Sequence, residues 1–120
     1  MYNKQLIGKI GEDLACEFLR NNNYIVIERN FRCRQGEIDI IAKDNNKNEL
    51  VFFEVKTRSN LKYGRAVEAV HKEKQKHIYW VVKYYIYKNK INEVPIRIDV
   101  IEVYIKDEKY KLNHIKQITM

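Results

Sequence analysis

GEIDIIAKDNNKNELVFFEVK, residues 36–56, reads as two short strands joined by a polar turn, and the rest of the chain is organised around it. Side chains alternate across a strand, so Glu37 and Asp39 share one face of the first strand. The same rule puts Glu54 and Lys56 on one face of the second. Their neighbours are apolar: Ile38, Ile40 and Ile41, then Leu50, Val51, Phe52, Phe53 and Val55. A charge held in such a setting is costly unless it is paired or binds a metal. The two strands are therefore expected to present Asp39, Glu54 and Lys56 together.

The chemistry that suits this trio is metal-dependent phosphodiester hydrolysis. Two acids on adjacent strands supply hard oxygen ligands, which favour Mg²⁺ or Mn²⁺ with some waters retained. A metal so held polarises a phosphoryl oxygen and lowers the pKa of a bound water. The lysine two residues on can steady developing negative charge. With a pKa lowered by burial, it could instead help deprotonate the water. An acid-x-Lys pattern is weak by itself, and Asp107-Glu108-Lys109 matches it too. That second match lies in a charged stretch without strand character and is expected to be a solvated turn.

With 120 residues and 45% hydrophobic content, the chain fits one domain with a real core. Lys and Arg total 23 against 16 Asp and Glu, a net charge of +7. Such a balance favours polyanions, nucleic acid first among them. An abundance of Ile, Lys, Asn and Tyr would raise the lysine count without any such role. Cys16 and Cys33 have neither metal-ligand spacing nor the setting of a disulfide scaffold, and both are expected to be reduced. Lys83 interrupts the longest apolar stretch, residues 78–87, so no transmembrane helix fits. The start of the chain lacks the apolar run of a signal peptide, and a cytoplasmic location is expected.

Residues 3–22 read as a helix, with Leu6, Ile7, Ile10, Leu14 and Phe18 as its apolar stripe. Gly8, Gly11 and Ala15 lie beside the stripe and would admit a close neighbour. Glu12 projects from the same edge; it is either a surface acid or one that faces the sheet. The run Asn21-Asn22-Asn23 ends the helix. Residues 24–31 read as the first strand, 36–43 as the second and 50–57 as the third, with 44–49 a polar hairpin loop. Short connections make these a meander. Residues 58–63 form a basic loop, either against a phosphate backbone or solvated.

Residues 72–89 read as a second helix whose apolar face is Ile78, Val81, Val82, Tyr85 and Ile86. One turn back, that face carries Lys74 and Gln75. The opposite side shows Lys72, Lys76, Trp80, Lys83 and Tyr87, which suits nucleic-acid contact but also fits a snorkelling surface helix. Residues 96–105 read as a further strand, reached by a parallel crossover. Arg97, Asp99 and Ile101 share one face of it; Ile98, Val100 and Glu102 share the other. Residues 110–118 fit either an edge strand or a short helix. His71, His77 and His114 lack ligand spacing, which argues against a zinc site, and no glycine-rich phosphate loop occurs.

With these residues placed, the chain resembles the PD-(D/E)XK nuclease superfamily and its restriction-endonuclease-like fold. More closely it is similar to the small bacterial YraN family, whose members resemble Holliday-junction resolvases. The resemblance runs from GKIGEDLACEFL (8–19) through GEIDII (36–41) and FEVKTR (53–58) to KQKHI (74–78) and RIDVIEV (97–103). Ile38 stands where the superfamily has its naming proline. The resemblance implies a mixed central sheet flanked by helices in the order α-β-β-β-α-β. It implies Asp39 and Glu54 as metal ligands, joined by a backbone carbonyl near Val55, with Mg²⁺ or Mn²⁺ as cofactor. Lys56, Glu12 and Gln75 would complete the catalytic set, and Arg58 and Lys74 would contact nucleic acid.

The function expected is thus a divalent-metal-dependent endonuclease on DNA, including branched DNA, which would require a homodimer for resolvase-type activity. A non-catalytic nucleic-acid-binding or assembly module on the same fold is the alternative. An RNA nuclease is a third.

Overall fold

The computed structural model describes residues 4–58 and 72–117, with side chains placed for 5–58 and 77–117. In chain order the elements are α1 (Lys4–Asn21), β1 (Tyr24–Cys33), β2 (Gly36–Asp44), β3 (Glu49–Arg58), α2 (Lys72–Lys88), β4 (Ile96–Lys106) and β5 (Lys109–Ile115). The five strands form one sheet in sequence order. β1, β2 and β3 pair antiparallel, because their connections are too short for anything else. β3 and β4 pair parallel, with α2 in the segment that joins them. This is the α-β-β-β-α-β order and the mixed central sheet flanked by helices that the sequence leads one to expect.

β5 adds an antiparallel edge strand, so residues 109–115 are strand and not helix. A two-residue turn explains the choice. Lys106 pairs with Lys109, and Asp107 between them takes a positive φ of 55°. Asp107 and Glu108 are therefore an exposed turn, as their charge suggested, while Lys109 opens β5.

β3 is the central strand. Leu50, Val51, Phe52 and Phe53 are all buried, since a helix covers each face of the sheet. Ile78, Val81, Val82 and Tyr85 of α2 pack over Phe52, Ile41 and Ile98 on one face. Ala15, Cys16 and Leu19 of α1 pack over Ile40, Val51, Phe53 and Ile101 on the other.

The buried line of α1 differs from the large-residue stripe. Leu6 is exposed and Leu14 and Phe18 are half-buried, while Gly11, Ala15, Cys16 and Leu19 are buried. Small residues let the helix axis approach the sheet, and the bulky side chains then flank the contact. At Gly11 the approach is so close that a Cβ would lie 2.0 Å from Thr57 Oγ1. Gly8 differs, as a Cβ there would meet nothing within 4 Å among the described residues. The helix stops at the asparagine run, where Asn23 adopts a left-handed φ of 67°.

Candidate functional site

The β2–β3 ladder runs from Asp44↔Glu49 to Ile40↔Phe53 and ends there. β3 meanwhile keeps its pairing with β4 as far as Arg58↔Tyr104. The sheet therefore forks one residue before Asp39 and Glu54. At the fork the Val55 N–H donates to Asp39 Oδ2 at 2.7 Å. Strict alternation also breaks here: Ile38 and Ile41 pack on the α2 side while Ile40 packs on the α1 side. Asn30, opposite Asp39 in register, has a positive φ of 54°. Glu37, which strict alternation would place with Asp39, is exposed and pairs with Arg32 at 2.9 Å.

β3 keeps its alternation, so Glu54 and Lys56 continue the face of Leu50 and Phe52 beyond the hydrophobic cluster. Lys56 Nζ lies 3.1 Å from Glu54 Oε1, and Glu54 is buried. Asp39 is where the electrostatic cost concentrates. Burial above all, then the neighbouring Glu54 charge, pushes its carboxyl up from 3.8 to about 7. The Val55 hydrogen bond opposes the rise, and Glu12 and Glu37 add to it.

Glu12 reaches this region because the Gly11–Thr57 contact docks α1 against the far end of β3. Its carboxylate is tied to β1 as well, 3.5 Å from Arg29 Nη2, which also binds Asp13 at 2.8 Å. Arg58 ends β3, half-buried, with a buried Nε that has no hydrogen-bond partner among the described residues. Lys74 and Gln75 fall in the first turn of α2, but their side chains lie outside the described residues, as do residues 59–63.

Two polar clusters escaped the sequence reading. Glu102, buried on β4, is level with Lys56 in the parallel register. It accepts hydrogen bonds from the Tyr104 hydroxyl and from Asn113 Nδ2, the latter at 2.8 Å. The polar row beside Glu54 thus extends across β4 to β5. The second cluster lies at the other end of the sheet, around Arg97. Its guanidinium donates to Asp44 at 2.9 Å, Glu49 at 2.8 Å, Asp99 at 3.0 Å and the Tyr24 hydroxyl at 2.6 Å. Asp99 is also met by His114 Nε2 at 2.7 Å and the Gln117 N–H at 2.9 Å. Asp44 and Glu49, expected in a polar loop, are instead the strand-end partners of this buried cation. Arg97 and Asp99 alternate within an apolar strand, which is the same signal that singled out Asp39 and Glu54.

The donor set at the fork fits a hard divalent cation. Asp39 and Glu54 are two carboxylates in a largely apolar setting, Asp39 held back from ionising by burial first and by Glu54 second. Added positive charge relieves that repulsion, and Lys56 supplies only one unit. Among the described residues no three His, Cys, Asp or Glu side chains converge as a metal cage. Two carboxylates with retained waters is the usual Mg²⁺ arrangement.

A family model described as "Uncharacterised protein family UPF0102" matches residues 11–103. A UPF0102 protein of Caldicellulosiruptor saccharolyticus is 45% identical over 116 residues, 95% of this chain and 97% of its own. One from Clostridioides difficile is 46% identical over 115 residues, 96% of each chain. One from Clostridium botulinum is 48% identical over 113 residues, 92% of this chain and 90% of its own. Among solved structures, Pyrococcus furiosus SfsA in complex with Ca²⁺ aligns with 96% of this chain and 64% of its own, at 13% identity. Its TM-score of 0.36 is too low to establish a shared fold.

Proposed function

Because this chain belongs to the uncharacterised protein family UPF0102, the YraN family, its chemistry has to be read from its own side chains, and we propose that it is a divalent-metal-dependent endonuclease hydrolysing DNA phosphodiester bonds, branched DNA included. The observation that carries this is the fork. Asp39, Glu54 and Lys56 stand together where β2 leaves β3, and the carboxyl of Asp39 is raised to about 7. Strained acids of this kind mark functional sites more often than chance.

Asp39 and Glu54 would hold Mg²⁺ or Mn²⁺, which when bound polarises the phosphoryl group and acidifies a water. Lys56, 3.1 Å from Glu54, is placed to stabilise negative charge gathering on the phosphate. Glu12 adds negative potential beside Asp39 and favours cation capture. Arg58, half-buried at the end of β3, is proposed as a phosphate contact because it is a cation at the end of the strand that carries Glu54 and Lys56. Gln75 and Lys74 are proposed as the α2 contributors, on sequence grounds alone. The net charge of +7 supports a polyanionic substrate, with affinity falling steeply as salt displaces bound phosphates.

One observation favours the non-catalytic alternative. The Lys56–Glu54 ion pair satisfies both partners without a metal, as a structural pair would. Linear, nicked and four-way-junction DNA, each incubated with Mg²⁺, Mn²⁺ or EDTA, separates the two. Metal-dependent cleavage abolished in Asp39→Asn is the expected result. Salt-sensitive binding without cleavage on any substrate would leave a binding module.

A further inference from the structure

Along α2, the side turned away from the core carries an unusual composition. Of the exposed residues between positions 77 and 90, four are aromatic, three are lysine and none is acidic. Tyr87 is 81% exposed and Trp80 55%. The charged companions of these rings between positions 77 and 90 are all cations.

The rings are also held in place. Tyr79 and Trp80 meet edge to face at 5.6 Å, and Lys83 Nζ lies 5.2 Å from the first ring and 5.9 Å from the second. Tyr84 stacks on Phe31 of β1 with centroids 6.4 Å apart. Trp80, Tyr84 and Tyr87 follow at i, i+4 and i+7, one stripe with steps of ~6 and ~4.5 Å along the axis. Pre-arranged aromatic faces flanked by lysines are what a single-stranded nucleic acid needs: bases stack on rings and phosphates meet ammonium groups.

We propose that the outer face of α2 is a binding platform for single-stranded nucleic acid, with Trp80, Tyr84 and Tyr87 stacking unpaired bases and Lys83 and Lys88 meeting the backbone. A duplex hides its base faces and could use only the lysines. A second copy of this chain would bring the same lysines against one another, a like-charge contact with no acid among the described side chains of α2 to offset it. An anionic lipid surface would want an apolar helix face to insert, and the apolar face of α2 is already packed on the sheet. As a statement of substrate class, unpaired DNA next to the fork, the platform rests on the nuclease proposal; as a statement of binding it stands alone.

Trp80 is the one tryptophan of the chain, so tryptophan fluorescence reports from this face alone. The protein, kept in EDTA to exclude cleavage, is titrated with oligothymidylate and with a blunt duplex of equal length. The expected result is quenching by the single strand at concentrations at least about tenfold below those for the duplex. Tyr87→Ser, at a fully exposed position, should weaken single-strand binding by about tenfold with unchanged circular dichroism. Lys83→Gln should lower the salt slope by about one phosphate. Absence of quenching at low salt, equal quenching by the duplex, or dimerisation that Tyr87→Ser abolishes would each overturn the platform. If the single strand binds as expected but no DNA is cleaved with metal, the platform stands and the nuclease proposal fails. If branched DNA is cleaved and Tyr87→Ser binds and cleaves it as wild type does, the nuclease proposal stands and the platform fails.

Discussion

Replacing Asp39 by asparagine should stabilise the metal-free protein, and by an amount that depends on pH. Asparagine is nearly isosteric, and its side-chain oxygen can still accept the Val55 N–H. It cannot ionise, so it avoids the cost of a buried charge beside Glu54. A carboxyl whose folded pKa is about 7 against 3.8 binds more protons folded than unfolded between those values. Stability of the wild type therefore falls as pH rises from about 4 to about 7 and levels off above, by linkage. At ~1.4 kcal/mol per pKa unit, ionising Asp39 costs the fold on the order of 4 kcal/mol at pH 8 but only ~1.5 at pH 5. The advantage of Asp39→Asn should thus grow by roughly 2–3 kcal/mol between pH 5 and 8. Urea unfolding in EDTA at the two pH values measures this, since 2 kcal/mol moves the midpoint by about 1 M at a typical slope. Millimolar Mn²⁺ should reverse the order at pH 8, because a ligand bound by the folded wild type stabilises it by mass action. An advantage equal at both pH values, or a mutant less stable than wild type at pH 8 in EDTA, would refute the reasoning.

Lys56→Ala should leave DNA affinity within about twofold while slowing single-turnover cleavage by about 10²–10³, the usual loss for one charge-stabilising donor; wild-type rates would exclude that role. Arg97→Ala should cost about 3–5 kcal/mol in urea unfolding, because it strands the buried Asp44 and Asp99 carboxylates. Both acids are held below the usual carboxylate range, Asp44 by Arg97 and Asp99 by His114 and Arg97, so their stabilising effect is present above pH 4 and fades on acidification. The deficit of Arg97→Ala should shrink accordingly at low pH, which a pH series of the same measurement checks. Gly11→Ala should lower stability by about 1–3 kcal/mol through overlap with Thr57, seen as a lower melting temperature. It should also weaken metal-dependent stabilisation by pushing Glu12 away from the fork.

The strand meander was legible in residues 36–56 because an apolar run with period-2 charges leaves few alternatives. The same rule identified Asp39, Glu54 and Lys56, and the fork brings them together. Arg97 and Asp99 carry the same signal. Their partners Asp44 and Glu49 could not be recognised, since polar residues flanking a DNNKNE turn look solvated until β4 arrives beside them. The break in alternation at Asp39 was equally hidden, since nothing in the run GEIDII marks it and it coincides with the left-handed backbone of Asn30 on the neighbouring strand. Along α1 the large residues drew attention, whereas the contact is set by Gly11 and Ala15, whose value lies in what they omit. β5 was ambiguous because an edge strand has one partner and a weak pattern.

Arg97 also bears on the order of assembly. Its partners come from residues far apart in the chain: Tyr24, Asp44, Glu49 and Asp99, the last of which binds His114. The β1–β3 meander closes through short turns and can form early, but at that stage Asp44 has only the turn N–H groups of Asn46 and Lys47, and neither it nor Glu49 has its cation. β4 must cross nearly forty positions of chain from the end of β3, a slow closure. Only when it arrives does the guanidinium enter the interior, and it is tolerated there only if all its acceptors are already in place. A one-residue slip of β4 along β3 would leave the cation facing the wrong groups. Arg97 thus works as a register check, rewarding the single alignment of the parallel pair in which Glu102 also stands level with Lys56. During synthesis, a chain released before residue 97 would lack this check, and its meander would expose the β3 edge to pairing with other chains.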